Sequence, residues 1–315
     1  MKPVILVPII IGAVLLTVGG AVLAIGIASS KGNEKETNTY ELTEDFKNIT
    51  TNLGITDLEF VPTTDGSKKV VCQETKKYHH KVSVANDELT ITSNDARRWY
   101  ETWFSFNLTN LKVTVYLPAG EFNNLKIEDS TGNVNIPHDY SFNNVNLKVS
   151  TGDVKFAANV AEYAEFNSST GDFNINEMST KNLKMKASTG KINLNKVTVA
   201  ETITASASTG NIHFTDTKAN KLDVNTSTGS ITFTDTVIAD HINAKASTGN
   251  VRFEDSDADT LTIQTSTGDV KGTLLTSKIF SVKSDTGKID VPTSTTGGLC
   301  EIKTDTGDIK ITIKQ

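Results

Sequence analysis

The stretch Leu183-Lys184-Met185-Lys186-Ala187-Ser188-Thr189-Gly190-Lys191-Ile192-Asn193-Leu194 decides the fold. Apolar and polar side chains alternate on both sides of a Ser-Thr-Gly triplet, which is the period of a strand with one buried face. A glycine between two such strands supplies the positive φ that a sharp corner needs. The triplet recurs, with Ser or Asp ahead of Thr-Gly, at Gly132, Gly152, Gly171, Gly190, Gly210, Gly229, Gly249, Gly268, Gly287 and Gly307, at spacings of 19 or 20 residues. Counted from each glycine, the positions seven and five before and two and four after carry apolar side chains or a thiol, with Gly272 the one exception.

An antiparallel meander could carry this alternation. Identical residues at every turn favour instead units stacked in register, so that like side chains form columns. The expectation is an all-β protein: a single parallel β-solenoid, β-helix-like, with about ten coils of 19–20 residues over 121–315, preceded by one N-terminal transmembrane helix. Nine steps of about 4.8 Å make a rod roughly 43 Å long. The Ser/Asp-Thr side chains are expected to hydrogen-bond local backbone and the next coil. A small residue ten before the glycine (Ala161, Ala200, Ala219, Ala239, Ala258) is expected to mark a second corner. Ten copies of one triplet cannot each be a nucleophile, and no His or Lys follows at a fixed offset, so no catalytic residue is assigned.

Outward from the repeats, residues 40–120 are read as an N-terminal β capping region that covers the open edge of the first coil. Within it, Arg97-Arg98-Trp99-Tyr100-Glu101-Thr102-Trp103-Phe104 gathers aromatics and two of the three arginines. Trp99, Tyr100, Trp103 and Phe104 are candidates for ligand contact as well as for capping, because flat apolar rings with polar handles grip glycans and membrane interfaces. Asp216, Asp235 and Asp255, each six after its glycine, are a candidate Ca2+ site, set against the reading that each is a solvent-facing turn residue. His79 and His80 point to opposite faces of a strand, have no third ligand near them in sequence, and are read as surface. Cys72 and Cys300 are read as buried small hydrophobes too far apart to pair.

Residues 4–28 contain no charged side chain, long enough to span a bilayer; residues 1–30 are expected to be a transmembrane anchor or an uncleaved signal, and 31–39 a juxtamembrane linker. The net charge of −6, with 31 basic and 37 acidic residues, disfavours nucleic-acid binding. Two cysteines exclude a disulfide framework, and no cofactor is expected.

The run Leu111-Lys112-Val113-Thr114-Val115-Tyr116-Leu117-Pro118, then Leu125-Lys126-Ile127-Glu128-Asp129-Ser130-Thr131-Gly132-Asn133-Val134 and the repeated Ser-Thr-Gly-Asp/Asn-Val/Ile, resembles the bacterial putative-adhesin β-strand-repeat family over about residues 40–315. The resemblance implies an envelope-attached domain and brings no catalytic residues. The expected function is therefore a scaffold with a binding, adhesin-like role at the bacterial envelope: single-pass in the cell membrane, its soluble domain extracytoplasmic, its partner an envelope polysaccharide or protein. An envelope-stress or assembly element acting through protein contacts is the alternative, with end-to-end association through the strand of Ile309, Ile311 and Ile313. A polysaccharide-active β-helix enzyme ranks below both, because the corners are short and arginine is scarce.

Overall fold

The computed structural model describes residues 35–96 and 111–315, and every regular element in them is a strand. No helix among these residues is long and apolar enough to cross a membrane. The expected anchor at 1–30, the whole of Arg97–Phe104 including Trp99, Tyr100, Trp103 and Phe104, and residues 31–34 lie outside the described residues.

Ten solenoid rungs follow the glycine count. The Gly190 rung is typical: a long strand Ser179–Thr189, the glycine corner, a short strand Ile192–Asn195, and a second corner. Its long strand pairs in parallel with Asn159–Thr170 on one side and Thr198–Thr209 on the other, with Leu183 aligned to Ala164 and Ile203. The predicted inward columns are buried along the rod except at the Gly287 rung, where Phe280, Val282 and Val291 are half-buried and Ile289 is exposed. Four after the glycine, Phe214, Phe233 and Phe253 stack face to face with ring centroids 5.2 and 4.7 Å apart, the spacing of hydrogen-bonded strands. Three further inward columns carry no steady apolar signature. Three before the glycine stand Val149, Ser168, Ala187 and Thr226. Seven after it stand Thr217, Thr236 and Ser256; nine after it, Val199, Ala219 and Ile238.

The first corner needs glycine because another backbone passes close by. A Cβ on Gly210, at φ 149°, would lie 1.9 Å from the Gly190 carbonyl oxygen. The Ser-Thr hydroxyls expected to bridge coils are exposed instead. The bridging hydroxyls sit three before the glycine: Thr226 Oγ1 donates to Gly210 O at 3.1 Å and Thr265 Oγ1 to Gly249 O at 3.0 Å. Just past the glycine, Asn or Asp accepts from the backbone N–H one rung on, as Asp153 Oδ1 does from Asp172 N at 2.8 Å and Asn250 Oδ1 from Asp269 N at 2.8 Å.

The second corner is not at the alanines. It is formed six after the glycine by Glu177, Lys196, Asp216, Asp235 and Asp255, at φ 53°, 54°, 44°, 48° and 49°. Ala161, Ala200 and Ala239 lie where a β-bulge breaks the long strand, and Ala219 and Ala258 face inward beside it. From Gly171 to Gly268 the bulge also carries the irregular spacing. There, between the inward residue nine after the glycine and the resumption of register, the 20-residue rungs place two residues (Ala200-Glu201, Ala239-Asp240) and the 19-residue rungs one (Lys181, Asn220, Asp259). Ahead of Gly171 the order is reversed, with Asn143 alone in the 20-residue rung and Ala161-Glu162 in the 19-residue one, so the difference is taken up at the second corner.

The last two rungs are inverted in space. Asp257–Thr267 pairs with Gly298–Thr306, which in turn pairs with Lys278–Thr286. The Gly307 rung is therefore inserted between those of Gly268 and Gly287. Ile309–Ile313 lies inside the stack, paired with Val270–Leu274, and is not the free end that the sequence led one to expect. The outermost rung is that of Gly287, where Ile279 and Ile289 are 43% and 45% exposed.

At the other end, six strands form the cap: β1 (Lys35–Glu41), β2 (Asn48–Thr63), β3 (Lys69–Thr75), β4 (Tyr78–Ala85), β5 (Glu88–Asp95) and β6 (Leu111–Pro118). β2 is itself a rung without the triplet: its first half pairs in parallel with Gly120–Thr131, its second with Val134–Ile136. Beyond it, β5 and β6 pair with β2, and β3 and β4 run antiparallel to them. Residues 35–39 of the stretch read as a linker belong to β1, which pairs with β3 through its backbone and needs no apolar side chain to do so.

Candidate functional site: a groove along the bulges

Because the bulges recur at one place in successive rungs, they leave a furrow running along the rod. Its larger part, about 800 Å3, crosses five rungs from Glu121 to Glu201. Phe122, Phe142 and Val160 form an apolar floor, while Ser179, Lys181 and Glu201 stand on its lips. The lip charges are paired in part, Lys181 Nζ lying 3.3 Å from Glu162 and 4.0 Å from Glu201. Exposed pairs of this kind contribute at most about 1 kcal/mol, so they can be exchanged for contacts to a ligand.

A second stretch of the same furrow, about 550 Å3, lies beside the inverted rungs and includes Ile238, Ala258 and Gly298. Here a buried ion pair sets the geometry. Lys278 Nζ is 2.9 Å from Asp257 Oδ1, and Thr276 donates to Asp257 Oδ2 through both its N–H and its hydroxyl at 2.7 Å. This knot holds the 275–278 connection as it bypasses the inserted rung.

The amide rows on the flat faces are largely engaged with one another. Asn124 Nδ2 donates to Asn48 Oδ1 at 2.8 Å, Asn144 to Asn124 at 3.2 Å and Asn193 to Asn174 at 3.0 Å. They tie rungs together. The aspartates of the second corner are accounted for by backbone conformation: Asp is among the few residues that tolerate a left-handed φ, Lys196 occupies the equivalent position, and Asp255 is bonded to Lys314 Nζ at 2.7 Å. Asp216, Asp235 and Asp255 are thus turn residues.

One histidine departs from its sequence reading, and one buried carboxylate is not singled out by it. His79 is exposed, but His80 is buried, its Nδ1 3.1 Å from Glu74 Oε1 and its Nε2 3.2 Å from Thr56 Oγ1. The hairpin turn between β3 and β4 brings Glu74 and His80 together, a contact invisible in a linear count of ligands. Asp129 takes a place in the inward column three before its glycine, where the other rungs carry small, hydroxyl or valine side chains. Burial pushes its carboxyl up to about 8, with the charge of Asp57 adding to the effect.

Both cysteines are buried and free, as read from the sequence. Burial pushes each thiol up to about 12, which leaves them protonated and poorly nucleophilic as they stand. Elsewhere on the rod Lys271, bonded at 2.6 Å, holds the Asp269 carboxyl below the ordinary carboxylate range.

A family model described as Toastrack DUF4097 matches residues 46–202 and again 198–315. Its first match begins just ahead of β2. Two solved structures share the fold. One, described as a putative adhesin from Parabacteroides distasonis, is 15% identical with a TM-score of 0.51 over 76% of this chain and 98% of its own. The other, a putative adhesin from Parabacteroides merdae, is 16% identical with a TM-score of 0.50 over 78% of this chain and 98% of its own. No curated protein matches the sequence. With the cap from β2 onward and the whole of the rod covered by the two family matches, the chain belongs to the Toastrack DUF4097 family of β-repeat proteins.

Proposed function

We propose that this protein is a non-enzymatic scaffold, held in the bacterial cell membrane by residues 1–30, that presents its rod on the extracytoplasmic side and binds an extended envelope polysaccharide in the bulge groove. The groove carries this reading. It is long, floored by apolar side chains, lipped by hydroxyl, ammonium and carboxylate groups, and built from equivalent positions in successive rungs. Such a surface gathers small contacts over many rungs, which suits a polymer lying along the rod better than a single small substrate. The uncharged stretch of residues 4–28 and the adhesin descriptions of proteins sharing the fold support the tether and the binding role.

The test uses the full chain in detergent and affinity electrophoresis through purified cell-wall glycan. Retardation is expected, and Ala200→Trp, which fills the groove, should abolish it. Equal retardation of the two proteins would overturn the groove as the binding surface, and cleavage of the glycan would overturn the non-enzymatic assignment. Protease digestion of intact cells should remove the rod; full protection would refute the orientation.

One observation favours a second reading, an assembly or envelope-stress element acting through protein contacts. The Gly287 rung leaves Phe280, Val282 and Val291 only partly covered at the end of the core. An open strand edge over an exposed apolar layer is the setting for pairing with another chain or another copy. Sedimentation of the full chain in detergent as a concentration-independent monomer would count against self-pairing.

A further inference from the structure

The buried polar cluster in the cap has a composition that the rod lacks. Cys72 and Glu74 are two apart on β3 and share a face, and the turn into β4 brings His80 over them. All three are buried, at 0%, 2% and 3% exposure. One ligand atom from each (a thiol sulfur, a carboxylate oxygen and a ring nitrogen) lies within 4.8 Å of the other two.

The outer partners are also in place. Asn38 Nδ2 donates to Glu74 Oε2 at 2.6 Å, while Oε1 accepts from the His80 backbone N–H at 2.7 Å and faces His80 Nδ1, and Thr56 Oγ1 sits 3.2 Å from His80 Nε2. Tyr40, whose hydroxyl donates to His80 O at 3.2 Å, closes the cluster from the β1 side. Metal-binding imidazoles and carboxylates are held in this way by hydrogen bonds on the side away from the ion. β1 itself is an exposed edge strand, so its displacement opens a way in.

We propose that Cys72 Sγ, Glu74 Oε1 and His80 Nδ1 form a zinc site. Thiolate, imidazole and carboxylate are the ligand types that zinc takes, and three protein ligands leave the fourth position to water. Metal–ligand bonds of 2.0–2.3 Å put tetrahedral ligand atoms about 3.3–3.6 Å apart. Glu74 Oε1 and His80 Nδ1 already stand at 3.1 Å, and no pair in the cluster has to close by much more than an ångström. On binding, the Cys72 thiol releases its proton to solvent, and the imidazole proton moves from Nδ1 to Nε2, from which Nε2–H donates a hydrogen bond to Thr56 Oγ1. Thiolate and carboxylate then cancel the charge of the dication, so the buried site is neutral overall. The ion would fasten β3 and β4 to β2, the rung on which the rod is stacked.

The test uses the full chain in detergent after chelator treatment, titrated with cobalt chloride alone and with zinc chloride alone. Cobalt is expected to give a near-ultraviolet thiolate-to-metal band with tetrahedral visible bands, at one equivalent per chain and reversed by zinc. Cys72→Ser should remove the near-ultraviolet band and weaken zinc binding at least tenfold, while Cys300→Ser and His79→Gln leave both unchanged. Glu74→Gln, close in shape, should keep the band at a weaker affinity and covers the case in which Cys72→Ser does not fold. A wild-type chain without the band, a band that survives Cys72→Ser, or one lost in Cys300→Ser would overturn the site.

Discussion

Replacing Asp129 by Asn should change how the protein's stability responds to pH. Asp129 sits at 5% exposure in the long strand that stacks on β2, aligned with Leu53 on one side and Val149 on the other. Its carboxyl is raised to about 8 by burial, against roughly 3.9 in an unfolded chain. Between those two values the folded protein holds a proton that the unfolded chain has lost, so stability falls as pH rises through this window, at up to about 1.4 kcal/mol per pH unit. The contribution is complete below about pH 4, and the loss is complete above about pH 8. From pH 5 to pH 8 the loss from this one group amounts to about 4 kcal/mol. The carboxamide that replaces it has nearly the same shape and no charge to bury. Equilibrium urea unfolding followed by circular dichroism, at pH 5 and pH 8, should show Asp129→Asn gaining on the wild type by about that amount across the interval. Equal pH responses in the two proteins would refute the argument, since every other titrating group is common to both.

The glycine corners make a sharper steric test. Gly210→Ala sets a methyl group against the neighbouring backbone and should cost about 3–5 kcal/mol, whereas Gly66→Ala, at φ 76° with nothing within 4 Å, should cost only the left-handed penalty of about 1–2 kcal/mol; equal urea midpoints would contradict the contact. Lys278→Ala leaves Asp257 buried without its cation and should lower stability by about 3–5 kcal/mol in the same assay. The order of the last rungs can be read by mild oxidation: Gln264→Cys with Lys303→Cys should cross-link, because these residues are aligned neighbours. Gln264→Cys with Lys283→Cys should not, being separated by an intervening strand and so by about 9–10 Å. The opposite pattern would restore sequential stacking.

Much of the rod can be read directly from the residues. A glycine every 19 or 20 positions and four apolar columns define the rung, because steric exclusion and burial act on each copy alike. The column three before the glycine escapes notice because a wall this close to the corner admits Ala, Ser, Thr and Val equally, which blurs the alternation. The second corner is hidden because a left-handed φ is borne there by Asp, Glu or Lys rather than by glycine. The inversion of the Gly287 and Gly307 rungs is hidden by that same regularity: equivalent rungs carry the same pattern whichever lies beside Gly268, and the buried Asp257–Lys278 pair at the bypass has no periodic signature. At the groove, Ala161, Ala200 and Ala239 stood out, but their smallness suggested a bend instead of a break in register. The pairing of Glu74 with His80 depends on an antiparallel hairpin and has no signature in spacing.

The bulge gives the rod a position, facing the furrow, at which chain length is negotiable. A residue gained or lost there is taken up before the strand rejoins its ladder, as the alternation between Lys181 alone and Ala200-Glu201 together already demonstrates. The same change within a paired stretch of strand would turn inward-facing columns to solvent. Insertions and deletions are therefore absorbed at the lip of the furrow, and the outline of the surface can diversify from turn to turn while the interior keeps its lattice.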